Sequence, residues 1–267
     1  MKSTIDDMRS ETPLLLAPAW FWQGILFLAG FGITSFGQAP ITNGLVARWP
    51  GDGNAKDSAG HFDGQVSGGL RYGPGLTGQA FEFNGGSSQV DFGPTAGNFG
   101  TRDFTIAYWM KTDSKSSQQA FLSKRAACDG AGPFWDIRIG GGFSQNPPTG
   151  ILHIELVTGG YKPPYDLFSS RPMNDGQWHH VAWVRQSTSS GSVNVLVYVD
   201  GGLDNSKGFE EAIDVANQSP LELGHNVCEN FDGCRPYNGA AAELQLFSHA
   251  LSGEEILALY KAGKPVK

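Results

Sequence analysis

The chain has 267 residues, enough for one large all-β domain or two small ones, and its 37 glycines and 15 prolines are scattered without a collagen-like period. Charged residues make up only 17% of it and the net charge is -7, which excludes a disordered polyelectrolyte and argues against a nucleic-acid partner, since phosphate recognition needs clustered Lys and Arg. This balance suits neutral glycans, peptides or divalent cations.

The first forty residues stand apart. Leu14 to Phe36 is almost wholly apolar, and Gly37-Gln38-Ala39 offers small residues at the spacing of a signal-peptidase site. The reading is a secretory signal cut after Ala39. The alternative is an uncleaved anchor, because the apolar run is long enough to span a bilayer. The segment 1–39 is thus a signal peptide or anchor, and 40–267 is the domain. Either way the domain is exported, to the medium, the periplasm or the cell surface, and it meets a membrane only through an uncleaved leader.

Short alternating segments follow. Phe104 to Met110 is apolar on both faces, as a central sandwich strand requires. Phe134 to Ile139 puts Trp135, Ile137 and Ile139 on one face and Asp136 and Arg138 on the other. Ile151 to Leu156 separates Leu152, Ile154 and Leu156 from His153 and Glu155 in the same way. Trp178 to Arg185 and Val193 to Asp200 are further strands, the second ending in the turn signal Asp200-Gly201-Gly202. Gly-rich and Pro-rich breaks separate these runs, which is the pattern of a β-sandwich. Near the end, Ser252-Gly253-Glu254-Glu255 reads as a capping box opening a short helix that Gly263 can close.

Cysteine is used three times, at Cys128, Cys228 and Cys234. Cys228 and Cys234 bracket a short polar loop and are the expected disulfide in an oxidising compartment, with Cys128 to either of them an open alternative. The absence of a Cys-x-x-Cys pair argues against zinc.

Several of these segments, taken in order, resemble the laminin-G-like jelly-roll modules of bacterial secreted proteins, within the concanavalin A-like lectin and glucanase group. The matching blocks are Gly44 to Gly60, Gly78 to Gly85, Phe104 to Trp109, Gln177 to Ala182, Tyr198 to Gly201, and Asn238 through Ser252 with the helix. The likeness covers about residues 44 to 263. It implies two packed antiparallel sheets, an all-β jelly roll with one C-terminal helix. It also implies a calcium site in many members and binding roles toward sugars or proteins.

The loop Asp52-Gly53-Asn54 with Asp57 is the metal candidate, since Ca²⁺ takes six to eight oxygen ligands. The resemblance implies a completing carboxylate from the last strand. Relatives often carry Asp-Glu there and this chain has Ala242-Glu243, so Glu243 is the fourth candidate. Asp136, Arg138, His153 and Glu155 share a polar face that could hold a glycan. The loop Tyr161-Lys162-Pro163-Pro164-Tyr165 adds aromatic rings that stack on sugars, stiffened by proline. His179 and His180 fall on opposite faces of a strand, so they cannot chelate one ion and read as sheet residues. Glycosidases of this fold carry a Glu-x-Asp-x-x-Glu run that is absent here, and Glu210-Glu211 with Asp214 has the wrong spacing. The expected function is therefore an exported binding module for a glycan or an extracellular protein, with calcium as the candidate ion. A glycoside hydrolase or lyase, or a structural domain of the cell surface, are the alternatives.

Overall fold

The structure is a computed structural model that describes residues 41–140, 149–229 and 233–264. The leader 1–39 lies outside the described residues. In chain order the elements are β1 (Leu45–Trp49), β2 (Gln65–Ser67), β3 (Arg71–Pro74), β4 (Gln79–Asn84), β5 (Gln89–Asp91), β6 (Phe104–Lys111), β7 (Gln118–Lys124) and β8 (Pro133–Gly140). There follow β9 (Ile151–Thr158), β10 (Tyr165–Pro172), β11 (His179–Ser187), β12 (Val193–Val199), β13 (Gly202–Phe209), β14 (Glu222–Leu223), β15 (Arg235–Pro236), β16 (Asn238–Phe247) and α1 (Gly253–Gly263).

These strands form two eight-stranded sheets. Sheet A has the order β13-β12-β11-β6-β16-β4-β3, with β1 also on β16. Sheet B has the order β10-β9-β8-β7-β14-β5-β2, and β15 adds a short parallel pairing to β7. All other pairings are antiparallel, so the architecture is the expected jelly-roll sandwich.

Alternation decides what lies between the sheets. Trp135, Ile137 and Ile139 of β8 and Leu152, Ile154 and Leu156 of β9 meet Ile106, Tyr108, Trp183 and Val197 from sheet A in one buried cluster. Trp135 packs edge-on against Trp183 with ring centroids 5.4 Å apart. Burying a ring system of this size contributes about 4–6 kcal/mol of transfer free energy. The β12–β13 hairpin turns on Asp200 and Gly201, at φ 53° and 82°, the double positive φ of a type I′ turn.

One irregularity positions a candidate residue. The first half of β16 pairs with β4 and the second half with β1, and the register breaks between Ala242 and Gln245. Glu243 sits in that break with φ 53°, unusual for a residue with a side chain. The bulge turns its carboxylate away from the ladder direction and toward β1.

The helix begins as its sequence requires. Ser252 is the N-cap and accepts from the Glu255 amide, while the Glu255 carboxylate accepts from the Ser252 amide. Ile256 and Leu251 bury against Ala182, Val184 and Phe247 on the outer side of sheet A.

The disulfide differs from the expected one. Cys128 pairs with Cys228, across a separation of 100 residues. Cys234 is buried beside the Arg235 carbonyl, its Sγ 3.9 Å from that oxygen. The reason is topological. Sheet B brings the β7–β8 loop next to the segment after β14, an approach that sequence proximity between Cys228 and Cys234 does not reveal.

Candidate functional site

Asp136, Arg138, His153 and Glu155 do share one face. In register, Asp136 lies opposite Glu155, and Glu155 opposite Asp166. One step along, Arg138 lies opposite His153, and His153 opposite Phe168. The outer side of sheet B therefore carries a row of three acids next to a row of base, imidazole and aromatic ring. The sequence offers Phe168 only as aromatic surface near the Tyr161–Tyr165 loop and gives no sign of Asp166, because cross-strand register is not written into the periodicity of one strand.

Arg125, from the loop after β7, completes the arrangement. Its Nη1 donates to Asp136 Oδ2 at 2.7 Å and to Glu155 Oε2 at 3.3 Å. Arg138 donates from Nε to Asp136 Oδ2 and from Nη2 to Glu155 Oε2, each at 3.1 Å. His153 Nε2 lies 2.7 Å from Asp166 Oδ1, and its ring stacks on Phe168 at 4.4 Å. Asp136, Arg125 and Arg138 are buried, and only 15% of the Glu155 side chain is exposed. This face is closed rather than open: its charges satisfy one another, and a glycan cannot reach Asp136 or Arg138 without breaking ion pairs.

Burial also splits the two carboxylates. For Asp136 it opposes ionisation, but the Arg138 and Arg125 charges outweigh it and hold the group below the usual carboxylate range. For Glu155, burial and the Asp136 charge outweigh the same arginines and push the carboxyl up to about 7. Of the two carboxyls, Glu155 is the one that takes up a proton first as the pH falls.

The accessible space lies at the end of this face. A cleft of about 570 Å³ is walled by the β7–β8 loop, by 217–220 and by Val227. Phe134 and Arg125 are among its lining residues, and the Arg125 guanidinium lies over the Phe134 ring at 3.8 Å from its centroid. Arg125 is pinned by Nε donating to the Ala127 carbonyl at 3.0 Å and by its two carboxylate bonds. Its Nη2 has no acceptor among the described residues. Gln218 and Asp129 stand exposed at the rim, and Val227 is exposed beside them. The size falls in the range of small-ligand sites, with an aromatic ring and a few directed polar groups.

Neither Tyr161 nor Tyr165 lines this cleft, although Tyr161 bonds to the β7–β8 loop. Tyr161 is 72% exposed, and its amide donates to the Gly130 carbonyl of the β7–β8 loop at 2.8 Å. Tyr165 is the first residue of β10 rather than part of the loop. Its hydroxyl donates to Glu211 Oε2 at 2.8 Å and its ring packs edge-on against Phe209, so it ties the edges of the two sheets together.

The residues expected to hold calcium do not fit the ion in this arrangement. Asp57 Oδ1 accepts the amides of Arg48, Ala59 and Gly60, and its Oδ2 accepts that of Phe62. Asp52 Oδ1 accepts the Gln79 amide, and Asn54 Oδ1 accepts the Lys56 amide. Glu243, re-aimed by the bulge, takes a bidentate bond from Arg48 at 2.7 and 3.0 Å. Arg48 and Lys56 line the same groove as Asp52, Asn54 and Glu243, putting two cations where a third would have to enter. Among the described residues no three His, Cys, Asp or Glu side chains converge on a metal position. The spacing supplied the oxygens, but the backbone of the loop uses them to hold its own shape.

His179 and His180 behave as sheet residues. His179 bridges Asp200 and Asp175 at 3.0 and 3.1 Å, and the Asp200 bond leads the partners that raise it above the ordinary imidazole value against burial. His180 points to the other face, where its ring meets Trp109.

Residues 84–257 match the family described as the concanavalin A-like lectin/glucanases superfamily. The chain belongs to that superfamily. Among solved structures it is similar to domain 4 of AbnA, a GH43 extracellular arabinanase from Geobacillus stearothermophilus solved in complex with arabinotriose. That match has a TM-score of 0.63 at 20% identity and covers 81% of this chain and 98% of the other. It is also similar to the binding domain of Paraclostridial Mosquitocidal Protein 1, with a TM-score of 0.62 at 16% identity over 82% of this chain and 52% of that one. The receptor binding domain of botulinum neurotoxin D gives 0.59 at 14% identity over 82% and 53%. The superfamily member thus spans about half the length of these toxin domains, and at such identities the likeness is one of fold. No curated protein matches it in sequence.

Proposed function

We propose that this superfamily member is an exported, non-catalytic glycan-binding domain whose ligand occupies the cleft at the loop end of sheet B. The observation that carries the reading is the Arg125–Phe134 pair. A guanidinium fixed by carboxylates and a carbonyl lies over the Phe134 ring at the cleft wall and keeps Nη2 for a ligand oxygen. Such a donor loses little entropy on binding, because the protein has already ordered it. Gln218 supplies an exposed amide at the rim.

The state of the carboxylates favours binding over hydrolysis. Asp136 and Glu155 are the paired carboxylates of this face, and both are enclosed and bonded to the same two arginines. An acid and base that must exchange protons with a substrate need access to it. The arabinotriose complex of a domain with this fold supports a glycan as ligand class. The apolar leader and the Cys128–Cys228 disulfide support export.

Gly132 provides the test. It lines the cleft, and a side chain built there meets nothing within 4 Å. Gly132→Trp therefore fills the cleft without disturbing the core. Titration of the full chain with a glycan panel that includes arabinotriose is expected to yield a ligand whose affinity falls at least tenfold in Gly132→Trp and is unchanged by chelator. Loss of binding on chelation, or full affinity in the blocked variant, would overturn the assignment.

A further inference from the structure

A second cleft lies on the opposite sheet. About 550 Å³ of space opens between the outer face of sheet A and α1, with Leu45, Trp109, His180, Gln245 and Leu259 among its walls. The chemistry of those walls is unusual for a structural crevice. Trp109 is 3% exposed and His180 is 2% exposed, so both are core residues by burial. Yet His180 Nδ1 is enclosed with no hydrogen-bond partner, and neither its Nε2 nor the Trp109 indole N–H nor the Gln245 amide has one among the described residues. Buried polar groups ordinarily find partners, and one left alone costs about 1–3 kcal/mol. Of these atoms only His180 Nδ1 is sealed from solvent; His180 Nε2, the Trp109 N–H and the Gln245 carboxamide belong to residues that line the cleft and are free there to pair with a ligand's polar atoms.

The helix leaves that wall open. A side chain at Gly263 would collide with the Trp109 indole nitrogen, so glycine at the helix end keeps the N–H reachable. Burial pushes the His180 imidazole down to about 4, against the Asp200 charge, so the ring is neutral at physiological pH and presents Nε2 to the cleft as donor or acceptor according to its tautomer. The charged pair on the wall, Arg48 and Glu243, neutralises itself.

We propose that this groove is a second saccharide site, taking one uncharged pyranose or furanose unit. Hydroxyl groups donate and accept at once, which matches a neutral imidazole, an indole N–H and a carboxamide. The C–H face of the ring then rests on Leu45 and Leu259. An anion gains no unpaired cation here, and a wholly apolar ligand leaves the same polar groups unsatisfied. The assignment is independent of the Arg125 cleft.

The test uses the full ¹⁵N-labelled chain, with the Trp109 indole resonance assigned through Trp109→Phe. The probes are glucose, galactose, N-acetylglucosamine and arabinotriose. At least one is expected to shift that resonance in a saturable way. The shift is expected to survive Gly132→Trp, to vanish in Ala262→Phe, which fills the groove from an exposed helical position, and to need about tenfold more sugar in His180→Leu. If no probe moves the resonance, if Ala262→Phe leaves the shift intact, or if Gly132→Trp abolishes it, the second site is refuted. The Gly132→Trp arm separates that outcome from failure of the first site.

Discussion

Glu155→Gln isolates the electrostatics of the closed face. The carboxyl is 15% exposed, faces the charged Asp136 across the β8–β9 ladder, and shares Arg125 and Arg138 with it. Burial first, and the Asp136 charge second, raise it from 4.5 to about 7. A carboxyl raised in the fold is held neutral there while the unfolded chain ionises it. Its contribution to stability is complete below about pH 4.5 and is lost as the pH climbs through about 7. That interval corresponds to about 3 kcal/mol. Glutamine keeps the shape and an acceptor for the arginines but cannot ionise. Relative to the natural chain, Glu155→Gln should therefore gain about 3 kcal/mol between about pH 4 and pH 8. Urea midpoints followed by tryptophan fluorescence across that range measure the difference directly. Parallel curves would show that Glu155 does not carry the proton, and a variant that weakens as the pH rises would show that its ionised form holds the arginines.

The remaining predictions concern the scaffold. Cys128→Ser opens a loop of 100 residues and should cost about 3–5 kcal/mol, read as a lower denaturant midpoint, while peptide mapping of Cys234→Ala should return the same Cys128–Cys228 bridge. Ser252→Ala removes one partner of the capping box and should cost about 1 kcal/mol, with the largest rise in amide exchange at the start of α1. Trp135→Ala empties the centre of the sandwich and should cost about 3–5 kcal/mol in thermal or urea unfolding.

The strands that announced themselves were those whose side chains alternate or are apolar throughout: β6, β8, β9, β11 and β12. Three others were hidden for separate reasons. β7 hides buried polar residues, and its Lys124 satisfies its ammonium on the Pro94 and Ser219 carbonyls at 2.7 and 2.6 Å. β10 and β13 are edge strands whose polar residues bond one another across the sheet boundary, as Ser170 does with Asp204. Their sequences look like loops because half of what they contact is polar. The site was legible to the same degree. Period-two alternation places Asp136 with Arg138 and His153 with Glu155, but not Arg125, which lies just past a strand end. Nothing local to Glu243 signals a positive φ, so its turn toward Arg48 could not be anticipated.

The division between a closed sheet face and open loops has a physical consequence for how such a domain acquires a ligand. On the outer face of sheet B, Asp136 and Glu155 answer Arg125 and Arg138, and removing one partner of a buried pair costs about 3–5 kcal/mol because the other is stranded. That face tolerates little change. The loops at its end carry no such penalty, and the Cys128–Cys228 bridge holds together two of the segments that wall the cleft, the one with Asp129 and Gly132 and the one with Val227. Arg125 joins the two regimes. Its Nη1 and Nε are committed to the rigid network, and that commitment fixes the guanidinium in the wall of a cleft whose rim residues are free to vary. On the proposed reading, specificity can then change through Gln218 and Asp129 while the donor stays fixed, so substitutions at those two positions should alter which glycan binds before they alter whether the chain folds.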